Sequence, residues 1–283
     1  MSRRALPVAA ALAAGLSGCT FSPGAAFTRV PGGSLDLLWE PGARALSADT
    51  FVTAGGLAVT VDRLELGLGA LELLELEGAD NVTFDPANPP PGYTLCHADH
   101  CHRDDGALIS YAEIRAELAG GDATFTPLLR FGLDAAADLR APATVSLGAP
   151  APSADLGMVT ITQVALSLGD FVLEGTIAPW SGPGDAPPAG RPDARPLRVA
   201  LALASALTRD LGLEVGRDSP PVQRVEAVVS VDGTFLDGLG VDDLPESGAL
   251  ALDQVDDPRV LAVRDALLTT PLEAGLAPAT GAE

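Results

Sequence analysis

The feature that most constrains the fold of this chain is a two-residue alternation of apolar side chains. Apolar residues recur at every second position from residue 57 to 61, and again, at the opposite parity, from residue 64 to 68. Such alternation is typical of strands with one buried face. The change of parity predicts a bulge near Asp62 and Arg63, or a turn between two strands. Because Gly, Pro and Asp clusters separate many such runs, we predict a mainly β fold of the antiparallel β-sandwich type.

The same pattern occurs twice, about one hundred residues apart, and a Pro-rich loop follows each copy. The matching segments are 59–61 with 159–161, 64–73 with 164–173, and the loops 85–91 with 184–192. Internal similarity at a fixed offset is the sequence signature of repeated structure. We therefore predict two related β-units, each built on an equivalent strand pair, packed as one body or as two adjacent sandwiches.

One or two short helices are expected beside the strands. Residues 110–113 have the spacing of a capping box, and Ile114 and Leu118 lie four apart on one face of the helix that would follow. A second short helix is predicted at 258–268, while 201–211 fits either a strand or a helix.

The first nineteen residues have the order of an export signal. Arg3 and Arg4 precede an apolar stretch, 5–16, that is too short to span a bilayer. The sequence Leu16-Ser17-Gly18-Cys19 resembles the lipobox of bacterial lipoproteins, in which cleavage occurs before a diacylglycerol-modified cysteine. The resemblance implies a lipid anchor on Cys19 and attachment to a membrane without spanning it. The segment around Arg3 and Arg4 also partly resembles a twin-arginine signal.

The residues after the lipobox indicate the location and the division of the chain. Thr20 stands where an inner-membrane retention signal of some enteric bacteria has Asp, which favours the outer membrane of the cell envelope. Small residues, Gly and Pro then predict a flexible tether. The predicted divisions are 1–18 for the signal peptide, 19–33 for the lipid-anchored tether, 34–131 for the first β-unit and 132–283 for the second β-unit with the C-terminal segment.

Composition limits the partners of the chain. The net charge is −21, with 38 acidic residues against 17 arginines and no lysine. This acidic excess repels phosphate backbones and argues against nucleic acid as a partner. It is consistent either with a solvated acidic surface or with one that attracts cations. A hydrophobic fraction of 47% over 283 residues is enough for one large core or two modest cores.

All three histidines and two of the three cysteines fall within residues 96–102. The donors are Cys96, His97, His100, Cys101 and His102. Imidazole nitrogens and thiolates suit Zn and Cu, and neighbouring aspartates can supply an oxygen or orient an imidazole. This run predicts a transition-metal site on a loop of the first β-unit, although not all five donors can converge on one ion.

Two other interpretations of this run remain open. Outside the cytosol, Cys96 and Cys101 are expected to form a disulfide that rigidifies the loop, which would leave the histidines able to bind a metal. The spacing from Cys96 to Cys101 and His102 also resembles the expanded C-x4-C-H haem-attachment sequence of some multihaem cytochromes. The β-rich context and the lack of a distal ligand outside the run argue against haem.

The sequence therefore favours an envelope lipoprotein that binds Cu or Zn for sequestration, delivery or sensing. Its partners would be the membrane, through the lipid anchor, and an envelope protein of unknown identity. The competing class is a structural or interaction lipoprotein in which a disulfide between Cys96 and Cys101 staples a loop. No catalytic motif occurs, and an enzyme would require the run to hold a catalytic Zn with an open position.

Overall fold

The computed structural model describes residues 28–42, 44–77, 85–97, 100–104, 107–118, 124–151, 155–157, 159–216 and 219–279. The strands are β1 (Thr28–Arg29), β2 (Gly33–Glu40), β3 (Thr50–Val52), β4 (Leu57–Glu77), β5 (Tyr93–His97), β6 (His100–Arg103), β7 (Leu108–Ser110), β8 (Thr124–Asp138), β9 (Ala143–Leu147), β10 (Asp155–Leu156), β11 (Val159–Pro179), β12 (Arg195–Val215), β13 (Gln223–Asp232), β14 (Leu250–Leu252) and β15 (Leu272–Pro278). The helices are α1 (Tyr111–Leu118), α2 (Pro258–Leu268) and two 3-10 turns, Gly233–Leu236 and Val241–Asp243.

Two sheets of unequal size enclose the main core. The larger sheet has the order β14-β12-β11-β4-β3, with β8 also paired to β4, and the smaller has the order β15-β13-β2-β9. Leu66 and Leu168 of the larger sheet and Val229 and Val231 of the smaller sheet line one small internal cavity. Most strand pairs are antiparallel, and the pairs β12–β14 and β13–β2 are parallel. The predicted mainly β fold with few helices is confirmed.

Alternation in the sequence fixes which side chains enter the core. In β13, Val225, Ala227, Val229 and Val231 are buried while the residues between them are exposed or half-buried. A two-residue period places such side chains on one face of the sheet. Burial of that apolar face supplies the main driving force for packing the two sheets.

The two repeated segments form neighbouring strands of equal length. Strands β4 and β11 are each continuous over 21 residues, so the prediction of a strand pair in each segment is wrong. The parity change is instead a bulge, because Glu174 faces Arg63 while the next residue, Gly175, faces Val61. The extra residue, Asp62, lets the apolar runs on both sides of it face the core.

The pairing of β4 with β11 follows the hundred-residue offset. Leu64 pairs with Leu173. Val164 lies one hundred positions after Leu64, Leu73 lies one hundred positions before Leu173, and these two residues also pair with each other. This is the pattern that a two-fold axis between the strands would produce. A common origin of two β-units stays a prediction, but the boundary expected after residue 131 falls inside the continuous strand β8.

Strands β4 and β11 each have a second antiparallel neighbour in the larger sheet. In both cases a connection outside that sheet joins the two strands of the pair. Strand β4 pairs antiparallel with β8, and β11 pairs antiparallel with β12. The first pair is joined by residues 78–123, here called the insertion, and the second by residues 180–194, here called the short connection. Because β4 and β11 run antiparallel, the two connections leave the larger sheet at opposite ends.

The start of the described chain already belongs to the fold. Thr28 and Val30 are buried, and Thr28 pairs with Leu156. Residues 28–33, which the sequence analysis assigned to the tether, therefore belong to the described fold. Residues 19–27 lie outside the described part of the chain.

The helix predictions are confirmed, with one change of detail. Helix α1 begins directly after Ser110, and α2 spans the predicted residues 258–268. The ambiguous segment 201–211 is part of strand β12. In α1, Ile114 is buried, but Leu118 is 45% exposed and does not share its environment.

Candidate metal site on a disulfide-bonded hairpin

The Cys/His run forms a hairpin within the insertion. Strands β5 and β6 pair antiparallel, and β7 pairs antiparallel with β6 to complete a three-stranded sheet. Helix α1 follows β7 without a break. The Cys/His run therefore lies on a small sheet of its own, at the end of the hairpin β4–β8.

Cys96 and Cys101 are directly opposite each other on β5 and β6 and form a disulfide. Their Cα atoms are 4.0 Å apart. In this bonded state neither sulfur is a thiolate, so neither is available as the metal ligand that a free cysteine would provide. The predicted set of five donors is thereby reduced to His97, His100 and His102.

The pairing register places the three histidines on one face of the hairpin. His97 pairs with His100, and His102 pairs with Leu95. Directly paired residues share a face, as do residues two apart on one strand, so these positions all lie opposite the face of the disulfide. Directly opposed residues have Cβ atoms about 4.5–5.5 Å apart, so positions 97 and 100 are direct neighbours across the two strands.

The described side chains of the hairpin differ in exposure between its two faces. Cys101 is buried and His102 is half-buried, while Leu95 is 56% exposed. The side chains of His97 and His100 lie outside the described part, as do Ala98 and Asp99 between them. Among the described side chains, no group of three or more His, Cys, Asp or Glu residues is placed to hold a metal ion.

Helix α1 is tied to the disulfide-bonded hairpin by a polar cluster. The hydroxyl of Tyr93 donates a hydrogen bond to Glu117 Oε2, and Arg103 Nη1 lies 3.5 Å from Glu117 Oε1. Burial, followed by the hydrogen bond to Glu117, raises the pKa of Tyr93 from 10.0 to about 12. The sequence predicted helix α1, but it gave no reason to single out Glu117 as a partner of Tyr93.

The backbone adds two further restraints to the base of the hairpin. The amide of Arg103 donates to the carbonyl of Ala107 over 2.8 Å, and the amide of Asp104 donates to the carbonyl of Gly92 over 2.9 Å. The hydroxyl of Thr94 donates to the carbonyl of His102 over 3.4 Å. The histidine face is therefore carried by a hairpin that a disulfide, a third strand and a helix all restrain.

The predicted lipidation site lies outside this description. Cys19 and the signal-like residues before it are not among the described residues. Within the part that is described, no helix is both long and apolar enough to cross a membrane. Comparison with known protein families, curated proteins and solved structures finds nothing that this chain matches.

Proposed function

We propose that this protein is a lipid-anchored lipoprotein of the bacterial cell envelope that binds Cu or Zn through His97, His100 and His102. Its role would be to sequester, deliver or sense the metal at the outer membrane. The observation that carries the proposal is the register of β5 and β6, which gathers every histidine of the chain on one face of one hairpin. Export and lipidation are supported by the resemblance of residues 16–19 to a lipobox.

The donor set fits divalent ions better than soft monovalent ones. With the cysteines bonded to each other, three neutral imidazoles remain, and imidazole is a ligand for Zn and Cu. Three histidines leave a fourth position on a tetrahedral ion for water or an exchangeable ligand. A site with an open position suits delivery or sensing better than permanent structural binding.

The disulfide has a defined part in this proposal. It lies on the face opposite the histidines, one residue from His97 on β5 and one residue from both His100 and His102 on β6. It thus holds the two strands in the register that opposes His97 to His100. Positioning ligands before the ion arrives lowers the entropy that binding must overcome.

The disulfide also fits a second function, which does not involve the histidines. In that case the protein is a structural or interaction lipoprotein whose hairpin is stapled as a surface for another envelope protein. The exposed side chain of Leu95 on the hairpin supports this alternative. It predicts that no metal is retained after dialysis.

Metal binding can be tested on the soluble part of the chain by titrating Zn²⁺ and Cu²⁺ with calorimetry and counting bound ions after dialysis. The double variant H100A/H102A should lose binding, because only one imidazole remains in the chain. Leu95→Ala is the matched control, since it removes a side chain of the same face that is not a ligand. The Cu²⁺ complex should show nitrogen ligation by electron paramagnetic resonance. Retention of stoichiometric metal by H100A/H102A would refute the histidine site.

A further inference from the structure

We infer that the end of the sandwich that carries the insertion faces the membrane, so that the histidine hairpin works close to the lipid surface. This orientation rests on the lipid anchor of the proposed function. It concerns which surface of the protein meets the bilayer, and it follows from where the described chain begins relative to the two sheets.

The first described residue lies at the same end of the larger sheet as the insertion. Thr28 pairs with Leu156, three residues before β11 begins at Val159, and Val159 pairs with Val215, the last residue of β12. The amide of Arg29 donates to the carbonyl of Pro221 over 2.8 Å, in the connection that follows β12. The first described residues, Thr28 and Arg29, are therefore fixed to this end by two neighbouring segments.

The insertion begins and ends at that same place. The amide of Leu76, at the end of β4, donates to the hydroxyl of Thr162 over 3.2 Å, and Glu77 pairs with Thr124, the first residue of β8. Thr162 is six residues after Leu156. At about 3.3 Å per residue of strand and about 4.8 Å between strands, Thr28 and the base of the insertion are within roughly 30 Å of each other.

The length of chain before Thr28 sets how far this end can lie from the bilayer. Cys19, the predicted site of the lipid, precedes Thr28 by nine residues. A fully extended segment of that length spans at most about 32 Å, and a flexible one has a root-mean-square length of about 17 Å. The opposite end of the sheet is about 60 Å further along β12, at the same rise per residue. The anchor thus keeps the insertion-bearing end within reach of the membrane, whereas it places no such restraint on the opposite end.

The charge of the insertion indicates what kind of lipid surface it can approach. Residues 78–123 contain eight acidic residues and two arginines. An anionic bilayer surface would repel such a segment, whereas a zwitterionic surface would not. The partner that fits this end is therefore a zwitterionic phospholipid surface.

The orientation can be measured by energy transfer from tryptophan to a lipid. The full chain, produced with its signal so that Cys19 is acylated, is reconstituted into phosphatidylcholine vesicles that contain a dansyl-labelled phosphatidylethanolamine. Trp39 and Trp180 give a low background, because Trp39 contacts Phe51 at the opposite end and the amide of Trp180 donates to the carbonyl of Gly56 there. Leu95→Trp then places a donor on the hairpin.

Leu46→Trp is the matched control, since Leu46 is 45% exposed and lies at the opposite end, beside Thr50. Transfer above background should be at least about twofold greater for Leu95→Trp than for Leu46→Trp, given the lengths of tether and strand. Equal or reversed transfer from protein that floats with the vesicles would overturn the orientation and leave the lipid anchor standing. The wild-type protein should float with the vesicles and Cys19→Ala should not. If the wild-type protein failed to float, both the anchor and the orientation would be overturned.

Discussion

The insertion and the short connection occupy equivalent places but differ in almost everything else. Both join a long strand of the larger sheet to its antiparallel neighbour, one at each end of the sheet. The short connection, 180–194, is 15 residues long and contains neither cysteine nor histidine. The insertion, 78–123, has 46 residues and holds a sheet, a helix, the disulfide and all three histidines. The two connections therefore join equivalent strand pairs, but only the insertion carries cysteine and histidine residues.

The two connections are also stabilised in different ways. In the short connection, Arg191 pairs with Asp193 at 2.6 Å and Asp185 accepts a hydrogen bond from the amide of Ser181, also at 2.6 Å. Such exposed contacts shape a loop and contribute little to stability. In the insertion, Cys101 and Ile114 are fully buried, yet neither belongs to the core between the two sheets. The insertion thus has buried apolar side chains of its own.

The largest expected effect tests whether those apolar side chains are independent of the main core. Phe171→Ala removes a buried ring that contacts Phe235 at 5.4 Å, and it should lower the free energy of unfolding of the whole domain by about 3–5 kcal/mol. Ile114→Ala should destabilise the insertion by about 2–5 kcal/mol and leave the main transition unchanged. Urea unfolding monitored by circular dichroism measures the stability of the whole domain, and proteolysis measures local opening of the insertion.

An equal loss of global stability in Ile114→Ala and Phe171→Ala would mean that the insertion and the sandwich unfold as one unit. The insertion would then be distinct from the sandwich in structure, but its unfolding would not be independent of the sandwich.

Sequence patterns could reveal the scaffold because its signals are local. The alternation over residues 57–68 predicted strands with one buried face, and the parity change near Asp62 predicted either a bulge or a turn between two strands. That 57–77 is one strand could not be predicted in this way, because a bulge and a turn give the same parity change. Only the pairing partners, β8 and β11, distinguish them.

The candidate site could be predicted only in part, because its donors are local in sequence but its geometry is not. The density of donors identified the hairpin region, but the face shared by the histidines depends on the register that pairs Cys96 with Cys101. Register between two strands is set by the turn and by cross-strand contacts, which a sequence of seven residues does not fix. Glu117 was missed because its partner, Tyr93, is 24 residues away along the chain.

The next effect concerns the disulfide. Replacing Cys96 and Cys101 together with serine opens a loop with a sequence separation of 5, which should lower the stability of the hairpin by about 2 kcal/mol. The main unfolding transition should not move, and metal affinity should fall without being lost, because the imidazoles remain. Hydrogen exchange of β5 and β6 measures the first effect and calorimetry the second. Unchanged affinity would show that the disulfide does not position the histidines.

A smaller effect is expected from making the two connections alike. Residues 78–123 are replaced with a second copy of 180–194, which joins β4 to β8 as β11 is joined to β12. Shortening the loop changes its closure entropy by about 1 kcal/mol, so the domain should fold with nearly its original stability while metal binding is abolished. Thermal unfolding and metal counting report the two outcomes. A loss far above that figure would show that the insertion also covers part of the sandwich.

The smallest effect is a pH dependence confined to the insertion. The pKa of Tyr93 is raised from 10.0 to about 12 by burial and by the hydrogen bond to Glu117. Because the folded pKa lies above the unfolded one, the neutral phenol stabilises the insertion fully below pH 10 and this contribution is lost as the pH rises towards 12. Tyr93→Phe should cost the insertion less than about 1 kcal/mol at neutral pH and remove the loosening at high pH. Tyr111→Phe, at the chain's other tyrosine, is the control and should retain it. Hydrogen exchange of β5 and α1 between about pH 9 and 12 measures this loosening. If the insertion of Tyr93→Phe opened over the same pH range as that of the wild type, the role of Tyr93 would be contradicted.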